Sequence, residues 1–527
     1  MMVQQGTKHG LGNMNIEPAD KSPVFRVNQN VISILGRCSP LPAILILAAT
    51  LRIAVGLAFP NYIVPDEIYQ YLGQAHRLVF GHGYIPWEFR VGLRSWLIPL
   101  ALAVPMAAAR VVVSSPAFGL AVIRTLLSIA SLSVVACATL WGLKFDGKRG
   151  AWLAGLAAAL WPDLWVMAPH PLEGVLAAYV LLPALFLIEP VGSAEYVPSS
   201  PEHGYSHRII TAAILLGIAF VLRNALAPAI AVAGMGLCRN HPRRWLVGVS
   251  AGAVPVLLAG LLDWTTWGTP FRSFWLNLQL NGFDNVGAVF GHEGWSFYPV
   301  ALLEDWLWAA PFIVLTIAIG ARRLPVTTLT AATIFLTYSI FSHKELRFLF
   351  PMIALLVPVA GVGLARLSRH LPTTLTAAIA IVSLAGLLSS PILRFELAHF
   401  VPGSLAEMAL APFHPSTVGS DSRFMPSNLY FGSQTRLVAI PSDHDLTGLD
   451  GLIIPQGRFM PPPLYRLVGC FRTTIKSALA AHFAPRSDCA WIAVHSVHPA
   501  STQPFGGFMF FPHIALKYRL NKRNWMP

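Results

Sequence analysis

Charge is what this chain has least of. Asp, Glu, Lys and Arg together make up 12% of 527 residues, about half the ~25% of a soluble globular domain, which argues against a cytosolic enzyme. No heptads, no repeats of convincing period and no low-complexity tract are visible. The first 40 residues are polar and lack the apolar core of a signal peptide. What is abundant is hydrophobic sequence, at 55% of the chain. It falls into runs of bilayer length, such as "LPAILILAATLRIAVGLAF" from Leu41 and "WLVGVSAGAVPVLLAGLL" from Trp245. A spanning helix needs about 20 mostly apolar residues, and roughly eleven stretches qualify. The expected fold is an all-α polytopic membrane protein.

The formal net charge of +13 invites a nucleic-acid reading, but its distribution argues for no nucleic acid. Basic residues cluster between apolar runs: Lys144, Lys148 and Arg149; Arg239, Arg243 and Arg244; Arg322 and Arg323; Arg366 and Arg369. A nucleic-acid footprint would be a stripe on a soluble domain, whereas short basic loops between spans follow the positive-inside rule. With residues 1–40 as a cytoplasmic segment, a first span at Leu41–Phe59 delivers Pro60–Arg94 to the far side. Trp96–Val113, interrupted by Pro99, Pro105 and Arg110, is then read as interfacial or re-entrant, and Phe118–Trp141 as the span that crosses back. Later spans begin near Ala151, Leu172, Ile209, Ala225, Trp245, Pro299, Val326, Phe348 and Pro372, and every basic cluster falls on the cytoplasmic side.

Residues 41–390 thus form the membrane domain. Residues 391–527 have many prolines and short runs such as "LVAIPS", "GLIIPQ" and "AWIAVHSV". Period-two alternation broken by Gly and Pro reads as strands, so an extracytoplasmic domain, α/β or mostly β, is expected. Two of the five cysteines, Cys470 and Cys489, lie in it. An oxidising compartment would permit a disulfide between them; two unpaired buried thiols are the alternative.

Three polar sets on the non-cytoplasmic side are not explained by orientation. The first is Asn61–Pro99. Pro65 is suited to the first turn of a helix, which places Asp66 and Glu67 at its positive end and Gln70 one turn on from Asp66. The second is Asp263–Pro299, where Asp263, Asn277, His292 and Glu293 accompany several tryptophans. Interfacial anchoring explains the tryptophans but not the polar residues, and aromatic and polar groups mixed in a cleft suit a sugar ring. The third, "FSHKELRFLFP", gathers His343, Lys344, Glu345 and Arg347 between apolar spans. Charge at mid-membrane costs about 2.5–3.5 kcal/mol per residue, so the cluster marks headgroup depth, where Arg and Lys suit phosphate. Arg223 lies at the same level.

Together these sets resemble glycosyltransferase family 22, within the C-type membrane glycosyltransferases. The first carries Pro65, Asp66, Glu67, Gln70, His76, Leu78, Gly81, Gly83, Trp87, Glu88, Arg94, Ser95, Trp96 and Pro99. The second carries Asp263, Trp267, Gly268, Gly291, His292, Trp295 and Phe297; the third carries His343, Lys344, Glu345, Arg347 and Phe348. The motifs run in order from about 41 to 370. Val64 replaces the family's histidine before Pro-Asp-Glu, and Pro86 replaces the usual threonine before Trp-Glu. These departures suggest a divergent, bacterial-type member with a different acceptor.

The resemblance implies an inverting mannosyltransferase that uses a polyprenyl-phosphate mannose donor and a lipid-linked or glycan acceptor, in contact with membrane lipid. Its membrane would be the cytoplasmic membrane in a bacterium or the endoplasmic reticulum in a eukaryote. Asp66 would be the general base, with Glu67 an alternative or orienting partner. His343, Lys344, Arg347 and Arg223 would meet the donor phosphate. Gln70, His76, Trp87, Glu88, Arg94, Asp263, His292, Trp295 and Glu345 would shape the substrate pocket. No nucleotide-binding glycine loop or Asp-x-Asp metal motif is present, which fits a lipid-linked donor. No cofactor is implied, although Asp66, Glu67 and Asp263 could share a divalent metal. Two alternatives remain: transfer of another polyprenyl-phosphate sugar, such as a pentose, and a transporter or lipid flippase. The latter expects internal repeats and ionisable residues near mid-membrane, whereas the interior spans carry little charge besides Arg52 and Arg124.

Overall fold

A computed structural model describes residues 40–58, 62–189, 203–239, 241–390, 407–420, 429–431, 434–440, 446, 448–455, 465–471 and 491–496. The region 40–390 is helical. Among the described residues, five helical stretches are long and apolar enough to cross a membrane: Pro40–Ala58, Pro116–Leu160, Pro242–Trp267, Phe297–Ala321 and Leu346–Leu367. Six further apolar helices are shorter, at 10–17 residues. The roughly eleven stretches counted from hydrophobicity therefore do not all reach spanning length as helices. Proline sets the start of two of these short helices, Pro325–Ile340 and, through Pro372, Thr373–Leu388. At 1.5 Å per residue, a 16-residue helix such as Glu173–Ile188 rises about 24 Å, short of the ~30 Å hydrocarbon core.

Helix Phe350–Leu367 is the axis of the bundle. It packs against Leu132–Leu160, Ala310–Ala321 and Pro325–Ile340, and most of its side chains are buried. Its contact with Ala310–Ala321 is close enough that a Cβ on Gly320 or Gly363 would overlap the opposite backbone, the small-residue packing favoured where apolar burial gives helices no reason to associate. The buried Arg52 donates to the carbonyls of Ala158 and Ala159, each at 3.0 Å. Those carbonyls lie in the last turn of helix Leu132–Leu160, where they lack intrahelical partners and the helix dipole is negative.

Three basic clusters meet at one end of the axial helix. Arg149 donates to the Ser368 carbonyl at 2.7 Å, Arg369 to that of Phe145 at 3.0 Å, and Arg323 lies over the Phe145 ring. The chain turns there because Asp146 and Gly147 leave helical geometry. Arg347 sits at the other end. The 18 residues of Phe350–Leu367 separate the two by about 27 Å. Helix Leu97–Val112 runs beside helix Gly73–Phe80, and Arg110 reaches the Val79 carbonyl and the Phe80 ring. The Arg110 end of Leu97–Val112 is thereby tied to helix Gly73–Phe80. A cysteine-labelling scan is expected to place residues 62–94 and 264–298 on one face and Lys148 and Arg243 on the other. Labelling of Lys148 from the Asp66 face would mean that Leu97–Val112 crosses.

Beyond residue 407 lies a five-stranded mixed sheet of order β2-β1-β3-β5-β4. β1 (Thr417–Ser420) runs parallel to β2 (Arg436–Ala439) and β3 (Gly451–Pro455), whereas β5 (Trp491–Ser496) is antiparallel to β3 and to β4 (Tyr465–Phe471). Three of these strands coincide with the alternating runs read from sequence. Tyr430 joins this region to the bundle: its hydroxyl lies 2.9 Å from that of Tyr62, three residues before Pro65. The N-terminal segment, Cys489 and the Cys470 side chain lie outside the described residues. Cys137 and Cys238 are buried thiols.

Candidate active site

Pro65 opens a helix whose first full turn, Glu67–Leu72, is π-helical. Such turns are rare and often sit at functional sites. Here the wide turn accompanies a sharp difference between adjacent carboxylates. Glu67 is buried, whereas the Asp66 side chain is 35% exposed. Gln70 donates to Asp66 Oδ1 and to Glu88 Oε1, each at 3.2 Å. Asp66 Oδ2 meets Arg347 Nη2 at 3.0 Å across 281 residues of sequence.

Glu67 has a different set of partners. Its Oε1 accepts from the backbone amides of Ile63 at 2.7 Å and Val64 at 3.3 Å, and its Oε2 lies 2.6 Å from His170 Nδ1. The contacts knot the chain just before Pro65 to the turn that carries Asp66. His170 was not singled out in the sequence. It stands in "APHPLEG", a polar interruption between two apolar runs, and that interruption was its signal.

The same segment supplies Glu173, also missed. Its two oxygens hold two arginines, Arg94 at 3.1 Å and Arg223 at 2.8 Å, and Arg223 Nε donates to the Tyr338 hydroxyl at 3.0 Å. Burial works against the charged form of Arg94, but Glu173, the Tyr71 phenol and Asp66 outweigh it and raise its pKa. Arg94 is thus within electrostatic reach of Asp66.

The 341–349 turn organises its charges around Glu345. His343 Nε2 lies 2.9 Å from Glu345 Oε1, and Arg347 contacts both Glu345 oxygens. Burial would raise the Glu345 carboxyl, but the His343 hydrogen bond and the Arg347 charge bring it down to about 2. Lys344 is buried, and its Nζ donates to the carbonyls of Glu293, at 2.8 Å, and Phe341. With Glu293 N donating to Ser342 O at 2.9 Å, Lys344 latches the second polar set to the third. The second set also meets the first, through Trp267 Nε1 to the Arg94 carbonyl at 3.2 Å.

Asp263 is buried, with Oδ2 accepting from the Ser273 amide at 2.8 Å and hydroxyl at 2.6 Å. It lines a cavity of about 310 Å³ together with Arg94, Glu173, Asn224 and Asn277. His76 faces elsewhere: its ring stacks on Phe80 and lies against His82. Burial first, and the neighbouring His82 second, lower its pKa to about 4. Trp87, at the start of helix Trp87–Val91 behind Pro86, is exposed, as are His292 and Trp295 in the 291–296 loop. Among the described residues, no three His, Cys, Asp or Glu side chains converge as a metal site; Glu67 and Asp263 are turned to the partners named above.

This fold is that of the C-type membrane glycosyltransferases. The solved structure of ArnT from Cupriavidus metallidurans bound to undecaprenyl phosphate superposes with a TM-score of 0.53 at 14% identity, covering 90% of this chain and all of that one. The chain belongs to the Alg9-like mannosyltransferase family, whose model matches residues 43–414. It is similar to GPI mannosyltransferase 3 of Drosophila melanogaster, at 28% identity over 65% of this chain and 60% of that protein. It is also similar to GPI alpha-1,2-mannosyltransferase 3 of Mus musculus, at 27% over 64% and 60%. The chain thus spans about 60% of the length of these relatives.

Proposed function

We propose that this integral membrane protein is an inverting mannosyltransferase. It takes mannose from a polyprenyl-phosphate donor and passes it to a lipid-linked or glycan acceptor on the non-cytoplasmic face. The observation that carries the reading is the Asp66–Arg347 contact, which sets a partly exposed carboxylate beside a guanidinium at the end of the axial helix away from the basic clusters. The known ligand of a protein with the same fold, undecaprenyl phosphate on ArnT, supports a polyprenyl-phosphate donor, and the relatives' names support mannose.

In the proposed reaction the acceptor hydroxyl oxygen attacks the anomeric carbon of the donor sugar. The bond from that carbon to the phosphate oxygen breaks, the phosphate leaves with the electron pair, and Asp66 takes the hydroxyl proton. An inverting transfer requires the base and the leaving group on opposite faces of the sugar. Fixed cations stabilise charge developing on the departing phosphate. Arg347 is assigned that task because, of the four basic candidates, it is the one in contact with Asp66, with Glu345 holding it from the other side. Lys344 is committed to backbone carbonyls, and Arg223 to Glu173 and Tyr338. Phosphate arriving at Arg347 would compete with Asp66 for the guanidinium and release the carboxylate to act as a base. His343, on the other side of Glu345, would contribute a hydrogen bond.

Purified protein is expected to transfer mannose from synthetic polyprenyl-phosphate mannose and to be inactive with GDP-mannose. Activity with GDP-mannose in membranes lacking polyprenyl-phosphate mannose would overturn the mechanism. Activity with a different polyprenyl-phosphate sugar would keep the mechanism and change the sugar.

A further inference from the structure

The cavity beside Asp263 is set apart from the Arg347 cluster by its charge and by one orphaned atom. Its volume of about 310 Å³ lies at the small end of ligand pockets, the space of a single sugar ring. Asp263 Oδ2 is satisfied by Ser273, but Oδ1 is buried and has no hydrogen-bond partner. Such an atom is expensive to leave unpaired and asks for a donor. Asn224 and Asn277 line the same space and can each donate and accept. Phe274 and Trp275, packed edge to face at 4.9 Å, complete the wall and offer apolar surface to the C–H face of a pyranose.

Charge decides between a sugar and a phosphate here. Arg94 lines the cavity, but Glu173 binds both it and Arg223. With Asp263 included, two positive groups face two negative ones. A phosphate would meet the uncompensated Asp263 oxygen, whereas a hydroxyl would donate to it. The cavity and the phosphate cluster also flank Asp66 differently. Arg347 contacts Asp66 directly, whereas the cavity's link to Asp66 runs through Arg94, which lines its wall and feels the Asp66 charge. In an inverting transfer the acceptor approaches opposite the phosphate.

We propose that this cavity binds the terminal, neutral sugar of the acceptor, with Asp263 Oδ1 accepting a hydrogen bond from one of its hydroxyls. The proposal rests on the transferase reading, since it takes Asp66 as the base.

The test uses the full chain in nanodiscs and methyl α-mannoside as probe, observed by saturation-transfer-difference NMR. The wild type is expected to give a signal that falls at least threefold in Asp263→Asn. Asn277→Ala, at a less buried wall position, should also weaken it and serves if Asp263→Asn folds poorly. In transfer assays both variants should raise the acceptor KM with the donor KM unchanged. Absence of a wild-type signal, equal signals in the variants, or displacement of the glycoside by inorganic phosphate would each overturn the proposal. A glycoside signal that depends on Asp263 without any mannosyl transfer would instead remove the transferase reading and leave a sugar site. Transfer with only the donor KM altered would do the reverse.

Discussion

Asp66→Asn is expected to preserve expression and membrane insertion and to lower mannosyl transfer by at least about 10²-fold, the low end for loss of a general base. Asparagine has nearly the same shape. Its one carbonyl oxygen can keep one of the two contacts Asp66 makes, to Gln70 Nε2 or to Arg347 Nη2, while its amide NH2 takes the place of the other carboxylate oxygen. What it loses is the capacity to take a proton, so kcat should fall with little change in either KM. Glu67→Gln should behave differently. Glu67 is buried and fully engaged with His170 and two backbone amides, out of reach of a substrate hydroxyl. Its substitution should cost turnover less and thermal stability more, because leaving a buried hydrogen-bonding group without its partner typically costs about 1–3 kcal/mol. Single-turnover rates and melting temperatures of both variants separate these effects. Near-normal turnover in Asp66→Asn would move the base to another residue.

The contrast between Asp66 and Glu67 shows where sequence reasoning stops. Pro-Asp-Glu at the start of a helix placed both carboxylates at its positive end, and the spacing to Gln70 anticipated the Asp66–Gln70 contact. Helical periodicity cannot show which of two adjacent carboxylates is buried, because that depends on the π turn and on His170, 103 residues away. The charge string at 343–347 was legible as a cluster, since charge is rare in this chain. Its internal division was not. Lys344 reads as a phosphate ligand by type, yet its ammonium is held by carbonyls contributed partly by residue 293. Likewise, Arg94 and Arg223 carry motif and depth signals in the sequence, but the carboxylate that pairs them, Glu173, lies at the first turn of an apolar helix, where a dipole role would have been the ordinary reading. Arg52 illustrates the same limit in the fold: a charge inside a span is visible, but the helix end it caps is set by tertiary packing. Three of the five strands of the C-terminal region were legible as alternating runs; their mixed order, with parallel and antiparallel pairings in one sheet, was not.

Arg347→Ala is expected to weaken donor use far more than acceptor use. A charge-assisted contact to phosphate contributes roughly 1.5–3 kcal/mol, which at about 1.4 kcal/mol per decade is about a 10- to 150-fold rise in donor KM. Arg347→Lys should recover part of this, because it keeps the charge but loses the planar fork that now spans Glu345 and Asp66. The same variants give a readout independent of turnover. Glu345 is held at about 2 by His343 and Arg347 against its burial. A lowered carboxyl stabilises the folded state above its unfolded value, near 4.3, and that stability is lost as pH falls towards the folded value. Removing Arg347 raises the folded value, so Glu345 should take up its proton at higher pH and its contribution should already be smaller near pH 4. Melting temperatures of Arg347→Ala should therefore lie below the wild type at pH 6 and fall less steeply between pH 5 and pH 3, because the wild type loses a contribution there that the variant largely lacks. An unchanged acid profile together with an unchanged donor KM would remove Arg347 from the phosphate site and leave its contact with Asp66 as a structural ion pair.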